Sequence, residues 1–145
     1  MNKMILKFLS RYENDSFART TAIAFLMPLD PTLEEIMEIK TIISEGVINA
    51  ILHGYNQDET KLVKLEIAYD TNSLVTIIIS DEGVGIEDIN LAMQPLYSSK
   101  AYLERSGMGI TIMENFADSF DIVSTINKGT KIIIQKQLNS NGKLK

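Results

Sequence analysis

A β-rich run over residues 73–80 ends directly on Asp81-Glu82-Gly83-Val84-Gly85-Ile86, and this junction constrains the fold more than any other stretch. Glycines at alternate positions let the backbone take turns closed to other residues and let a flat ring approach. A carboxylate at the strand end can accept a proton from an exocyclic amine. The loop therefore fits an adenine seat, although taken alone it fits a plain strand-to-helix turn equally well. The β-rich runs around it fall into pairs. Residues 62–70 and 73–80 flank Asp70-Thr71-Asn72-Ser73, and residues 119–126 and 130–137 flank Asn127-Lys128-Gly129, which predicts two antiparallel hairpins.

The helical signals lie before and between these hairpins. Residues 3–10 fit a short strand with one exposed face. Asn14 or Asp15 can cap a first helix from about Ser16 to Met27, ended by Pro28 and the Asp30-Pro31 turn. Thr32 can cap a second helix with Glu35 three residues on, and Ile36, Ile39, Ile43, Val47 and Ala50 follow at spacings of three and four, down to a stop at His53-Gly54. A short helix is expected near 88–93 and another from Gly107 to Phe116. The polar segment Gln94 to Ser106 between them is too long for a connector and is read as a lid. Together these elements predict a two-layer α/β (α+β) sandwich, a mixed but mostly antiparallel sheet with helices packed on one face. A single domain over 1–138 is expected, with 139–145 as a flexible tail.

Composition removes several functional classes. With 14 Lys+Arg against 19 Asp+Glu the net charge is −5, which repels phosphate backbones, so no direct nucleic-acid partner is expected. The absence of cysteine excludes a disulfide framework, a thiolate zinc site and a cysteine nucleophile, and one histidine, His53, cannot build a multi-histidine metal centre. Lys7 interrupts the apolar run Met4-Ile5-Leu6, and no stretch approaches the length a bilayer needs. A cytoplasmic protein without a membrane partner is the expectation.

Two further constellations carry chemistry. Glu45, Asn49 and His53 are four apart on the second helix and so share a stripe rotated from the apolar one. Alone, that stripe reads equally well as a solvated polar face, and a lone histidine at a helix end commonly satisfies a last-turn carbonyl. The other is Arg105-Ser106-Gly107-Met108-Gly109-Ile110-Thr111. A helix starting there turns free N–H groups and its positive dipole end towards whatever the glycines admit, with phosphate the common guest and Arg105 beside it. Neither glycine segment matches the dinucleotide or P-loop fingerprints, because the third glycine of GxGxxG would fall on Ile112 or Asp88 and no GxxxxGK[ST] occurs.

The joint order of these parts is more specific than any one of them. A helical Ser44-Glu45-Gly46-Val47-Ile48-Asn49-Ala50, a strand-end Asp81 to Ile86, a lid, Arg105 to Ile110 and a strand opened by Gly129-Thr130 resemble the ATP-binding fold shared by gyrase, the Hsp90 chaperones, histidine kinases and MutL. With Glu13 to Arg19, His53-Gly54-Tyr55-Asn56, Glu104 to Gly109 and Ile112 to Phe116, the chain resembles the anti-sigma-F factors of endospore-forming bacteria over almost its whole length.

That resemblance implies a protein that holds an RNA polymerase sigma factor inactive and phosphorylates a serine of its antagonist, the anti-anti-sigma factor. It implies ATP or ADP and Mg²⁺ as ligands, with Asn49 on the metal and Glu45 as acceptor of the serine proton. Asp81, Gly83, Gly85 and Ile86 would hold the base and Thr130 would support them. Ser106, Gly107, Met108 and Gly109 would wrap the phosphates, with Arg105 approaching the γ-phosphate. Asp15 and Arg19 would meet the sigma factor from one face of the first helix, on a homodimer joined through the N-terminal strand and that helix. Gly46 stands where the family usually has alanine, a change that costs a helix interior about 1 kcal/mol. Ser98-Ser99 replace the usual threonines and Ala101 a proline, which predicts a looser lid. Two alternatives are a nucleotide-dependent interaction module without turnover and the catalytic domain of a histidine kinase. The second lacks a dimerisation helix pair.

Overall fold

The computed structural model describes residues 1–93 and 109–139. In chain order these form β1 (Asn2–Leu9), α1 (Glu13–Leu26), α2 (Leu33–Asn49), β2 (Leu62–Tyr69), β3 (Leu74–Asp81), α3 (Ile89–Ala92), α4 (Gly109–Phe116), β4 (Ser119–Thr125) and β5 (Gly129–Gln137). A 3-10 turn, Met27–Leu29, follows α1, and a single π-helical turn, Ala50–Gly54, continues α2. The strands form one five-stranded sheet in the order β1-β2-β3-β5-β4, and all four pairings are antiparallel. The two expected hairpins supply the β2–β3 and β4–β5 pairings, and β5 joins them by pairing with β3. No parallel neighbour occurs among the described strands, where the sequence allowed for one.

Alternation along the strands decides which face is covered. Val63, Leu65 and Ile67 of β2 and Val75, Ile77 and Ile79 of β3 are buried while their neighbours are not. They pack with Ile132 and Ile134 of β5 against Ile39, Ile42, Ile43 and Val47 of α2, Ala18, Ala22 and Leu26 of α1, and Met113 of α4. Each large aliphatic side chain buried in this way contributes about 1.5–3 kcal/mol. The result is the expected two-layer sandwich with its helices on one face.

Helix boundaries follow side-chain chemistry. Thr32 and Glu35 make the predicted reciprocal capping box, with the Glu35 N–H donating to Thr32 Oγ1 at 3.1 Å and the Thr32 N–H to Glu35 Oε1 at 2.9 Å. The other oxygen of Glu35 accepts the N–H of Asn139 at 2.6 Å, so the residue expected to open a tail is tied to α2. Residues 140–145 lie outside the described residues. The first helix departs from expectation, starting at Glu13 with no side-chain cap. Asn14 instead donates to the carbonyl of Leu9, and Asp15 is turned into the protein. The segment read as a lid, Gln94 to Ser106, falls outside the described residues.

Candidate functional site

β3 delivers Asp81 to the end of the sheet, in register with Thr130 of β5 and turned towards the helix layer. Burial pushes its carboxyl from the ordinary 3.8 up to about 6, against the opposing pull of the backbone N–H groups of Gly83 and Thr130. The Gly83 N–H donates to Asp81 Oδ1 at 2.9 Å.

The wall beside this carboxylate is the π turn. Widening of the helix after Asn49 brings Gly54 so close that a Cβ there would stand 2.6 Å from the Asp81 carboxyl carbon. The Gly54 carbonyl accepts the Val84 N–H at 2.9 Å, and it occupies the space in which a side chain on Gly83 would begin. Tyr55, buried at the end of the turn, accepts the Glu82 N–H at 2.7 Å and donates to the Leu62 carbonyl at 2.6 Å. Desolvation is the main cause that raises its phenol above the ordinary tyrosine value. Single π turns inside α-helices recur at functional sites. Here the turn docks the end of α2 onto the glycine loop.

The far side of the loop is held by the β4–β5 hairpin. Gly85 has φ +80°, which favours glycine, and the Thr125 carbonyl lies where its side chain would start. The Ile86 N–H donates to Ser124 Oγ at 2.7 Å. That hydroxyl shares a 2.8 Å hydrogen bond with Thr130 Oγ1. Thr130 is buried, so Ser124 and Thr130 together tie the loop to the strand behind Asp81.

The second half of the cleft is built on α2. Glu45 and Asn49 are half-buried one turn apart, and α4 starts against them: a Cβ on Gly109 would stand 2.9 Å from Glu45 Oε2. The fold thus brings the helical carboxylate to the first described turn of the glycine-started helix. His53 does not extend this pair, because α-helical spacing stops at Asn49 and His53 falls in the π turn. Arg105, Ser106, Gly107 and Met108 lie outside the described residues.

The pair expected to meet a partner from α1 divides between core and surface. Asp15 and Arg19 do form the expected i,i+4 pair, with Arg19 Nε 3.4 Å from Asp15 Oδ2. Asp15, however, is only 8% exposed, and the same oxygen accepts the hydroxyl of Ser44 at 3.0 Å. The carboxylate faces α2 rather than solvent. Only Arg19 offers exposed surface, because the α1–α2 packing covers its partner.

Sequence reasoning assigned no site role to Tyr55, Ser44 or Ser124, and read Gly54 only as a helix stop. The run His53-Gly54-Tyr55-Asn56 follows α2 directly, and a glycine-aromatic step after a helix was the available signal. Ser124 carried none, since it reaches Ile86 across 38 residues of chain. Chemically, the cleft offers a buried acceptor among glycines at one end and a carboxylate, an amide and a helix start at the other.

Comparisons with known proteins agree with this fold. Residues 13–136 match the family model described as a histidine kinase-like ATPase domain. An anti-sigma F factor of Clostridium perfringens (strain SM101) is 51% identical over 139 residues, 96% of this chain and 99% of that protein. An anti-sigma F factor of Geobacillus kaustophilus is 50% identical over 137 residues, 94% of this chain and 93% of that one. Among solved structures, the RsbU and RsbW domains of a Mycobacterium tuberculosis protein align with a TM-score of 0.69 at 16% identity, covering 95% of this chain and 33% of theirs. A histidine kinase domain from Erythrobacter litoralis aligns with a TM-score of 0.54 at 17% identity, covering 71% of this chain and 44% of its own.

Proposed function

Because the chain belongs to the anti-sigma F factor family and carries a histidine kinase-like ATPase domain, we propose that it binds Mg-ATP in this cleft and phosphorylates a serine of an anti-anti-sigma antagonist. In the same reading it holds a sporulation sigma factor inactive, as a homodimer in the cytoplasm. The observation that carries this reading is Asp81, a buried carboxylate set in a notch of glycine backbone, with Glu45 and Asn49 on the neighbouring helix. An adenine amino group is a donor of the right kind for that acceptor, and Gly83, Gly85 and Ile86 are assigned to the base, on a loop whose two glycines pack their backbones against the Gly54 and Thr125 carbonyls.

With a purine at Asp81, Asn49 and the start of α4 would hold the triphosphate. The amide oxygen of Asn49 is a hard ligand suited to magnesium, which takes its remaining ligands from phosphate and water. Held by Asn49, a magnesium ion would supply neutralisation of phosphate charge. Ser106, Gly107, Met108 and Gly109 are assigned to the phosphates and Arg105 to the γ-phosphate. Glu45 accepts the proton of the attacking serine hydroxyl. An ordinary carboxylate suffices, because phosphoryl transfer through a loose transition state rests on positioning and charge neutralisation more than on a strong base. Arg19 is the exposed member of the sigma-contacting pair, and Asp15 holds it in place.

The test is incubation with Mg-ATP and an anti-anti-sigma partner. Acid-stable phosphoserine is expected, and it should be lost in Glu45→Gln while ATP binding persists. Undiminished phosphotransfer by that variant would remove Glu45 from the mechanism. Acid-labile phosphate would instead indicate histidine-kinase chemistry, and sigma capture without any phosphotransfer would indicate an interaction module.

A further inference from the structure

The sheet face turned away from the helices concentrates positive charge in a protein whose net charge is −5. Strand register places Lys7 directly opposite Lys64, Lys64 opposite Ser80, Ser80 opposite Lys131 and Lys131 opposite Val123. One row therefore crosses all five strands. Lys128, in the β4–β5 turn, stands beside it. The four lysines line a concavity of about 390 Å³. Its two acidic lining residues are Glu82 and Asp81, and the Asp81 carboxylate belongs to the helix side.

Like charges directly opposite one another destabilise a strand pair. Lys64 has Glu66 at 3.6 Å, whereas Lys7, Lys128 and Lys131 make no ion pair among the described residues. The next row along the sheet is Ile5, Glu66, Ile78, Ile133 and Asp121, three isoleucines and two carboxylates, of which Glu66 is already paired with Lys3 and Lys64. Ile5 and Val123 are each 53% exposed and Leu62 is 50% exposed. Unpaired lysines beside exposed branched aliphatics match a ligand that brings carboxylates and apolar side chains together. A phosphodiester backbone brings only charge and nothing to cover the exposed aliphatics.

We propose that this face binds an acidic polypeptide segment of a protein partner, with apolar residues between its carboxylates. The carboxylates meet Lys7, Lys64, Lys128 and Lys131, and the apolar residues cover Leu62, Val123 and the isoleucine row. The surface lies back to back with the adenine seat, separated from it by the paired residues Asp81 and Thr130. It is a second recognition site, independent of the phosphotransfer reading.

The test uses the full-length chain and a fluorescent Glu-rich peptide with interspersed leucines, titrated by anisotropy at low and high salt. Saturable binding that weakens with salt is expected. It should fall about tenfold or more in Lys7→Glu/Lys131→Glu and less in Lys7→Ser/Lys131→Ser, with thermal unfolding confirming that both variants fold. A poly-Glu peptide without leucines should bind more weakly. The proposal is overturned by absence of saturable binding, by equal binding to the charge-reversed variant, or by equal affinity for poly-Glu. Tighter binding of a DNA duplex or of inorganic polyphosphate would overturn it too. Mg-ATP binding, measured alongside, is expected to be the same in all variants, so the two readings stand or fall separately.

Discussion

Ile79 of β3 points its Cδ1 at the backbone of Gly46 in α2, filling the space that a Cβ there would need. Both residues are buried, so Ile79 can make way for a Cβ only by turning its terminal methyl within the core. The glycine beside Glu45 is thereby the complement of a large residue on the facing strand.

Gly46→Ala should consequently destabilise the protein even though alanine is the better helix former by about 1 kcal/mol, because overpacking a core costs about 1–3 kcal/mol. In an Ile79→Val background, which removes Cδ1, the same substitution should turn stabilising by up to about 1 kcal/mol. Urea unfolding of the four proteins in this cycle checks it, and a gain from Gly46→Ala in the parent would show that Ile79 does not constrain the site.

Asp81 gives a pH signature. Its carboxyl has an ordinary value of 3.8 and rises to about 6 in the folded chain. Between those values the unfolded chain is ionised while the folded one keeps its proton. Stability therefore falls as pH rises through this window, and the loss persists above it. Asp81→Asn should stabilise the nucleotide-free protein at neutral pH by on the order of 2 kcal/mol and give no such gain below pH 3.8. The same variant should lose ATP affinity. Because a purine amine favours the ionised carboxylate, binding near pH 6 should release protons. Calorimetry in two buffers of different ionisation heat measures that release.

Ser44 is expected to matter for stability without touching substrate. Its hydroxyl donates to the buried carboxylate of Asp15 across the α1–α2 contact. Ser44→Ala should cost about 1–3 kcal/mol, since it strips a hydrogen bond from a largely buried charge. Chemical denaturation reads the loss. Arg19→Ala should reduce sigma-factor capture in a pull-down more than Ser44→Ala does, because Arg19 is the exposed member of the pair.

Lys136 anchors α4 from below. It is 8% exposed, lies 2.8 Å from Glu38 of α2 and donates to the Phe116 carbonyl at the end of α4 at 2.9 Å. Lys136→Met removes both contacts and should cost about 2 kcal/mol, less than a fully buried pair because Glu38 retains some solvent. Hydrogen exchange should show α4 amides losing protection before those of the sheet.

Much of this molecule was readable from local pattern. The Thr32–Glu35 capping box, the apolar stripe of α2, both hairpins and the strand-end Asp81 appear where expected, because each signal is a short-range periodicity or turn preference that the backbone obeys by itself. The pairing of Glu45 with Asn49 followed from helical spacing alone. Four features did not. The burial of Asp15 beside Ser44 brings together residues 29 apart, and the support of the glycine loop depends on Tyr55 and Ser124, 27 and 38 residues from the atoms they bind. The latch from Glu35 to Asn139 spans 104 residues. The π turn at Ala50–Gly54 likewise breaks the α-helical spacing that His53 was expected to follow, in a helix docked on the loop after β3. Such contacts form only when the packed layers bring distant segments within hydrogen-bond reach. Local propensity determines the elements and their chemistry, and tertiary packing decides which polar groups are buried, paired or left to meet a ligand.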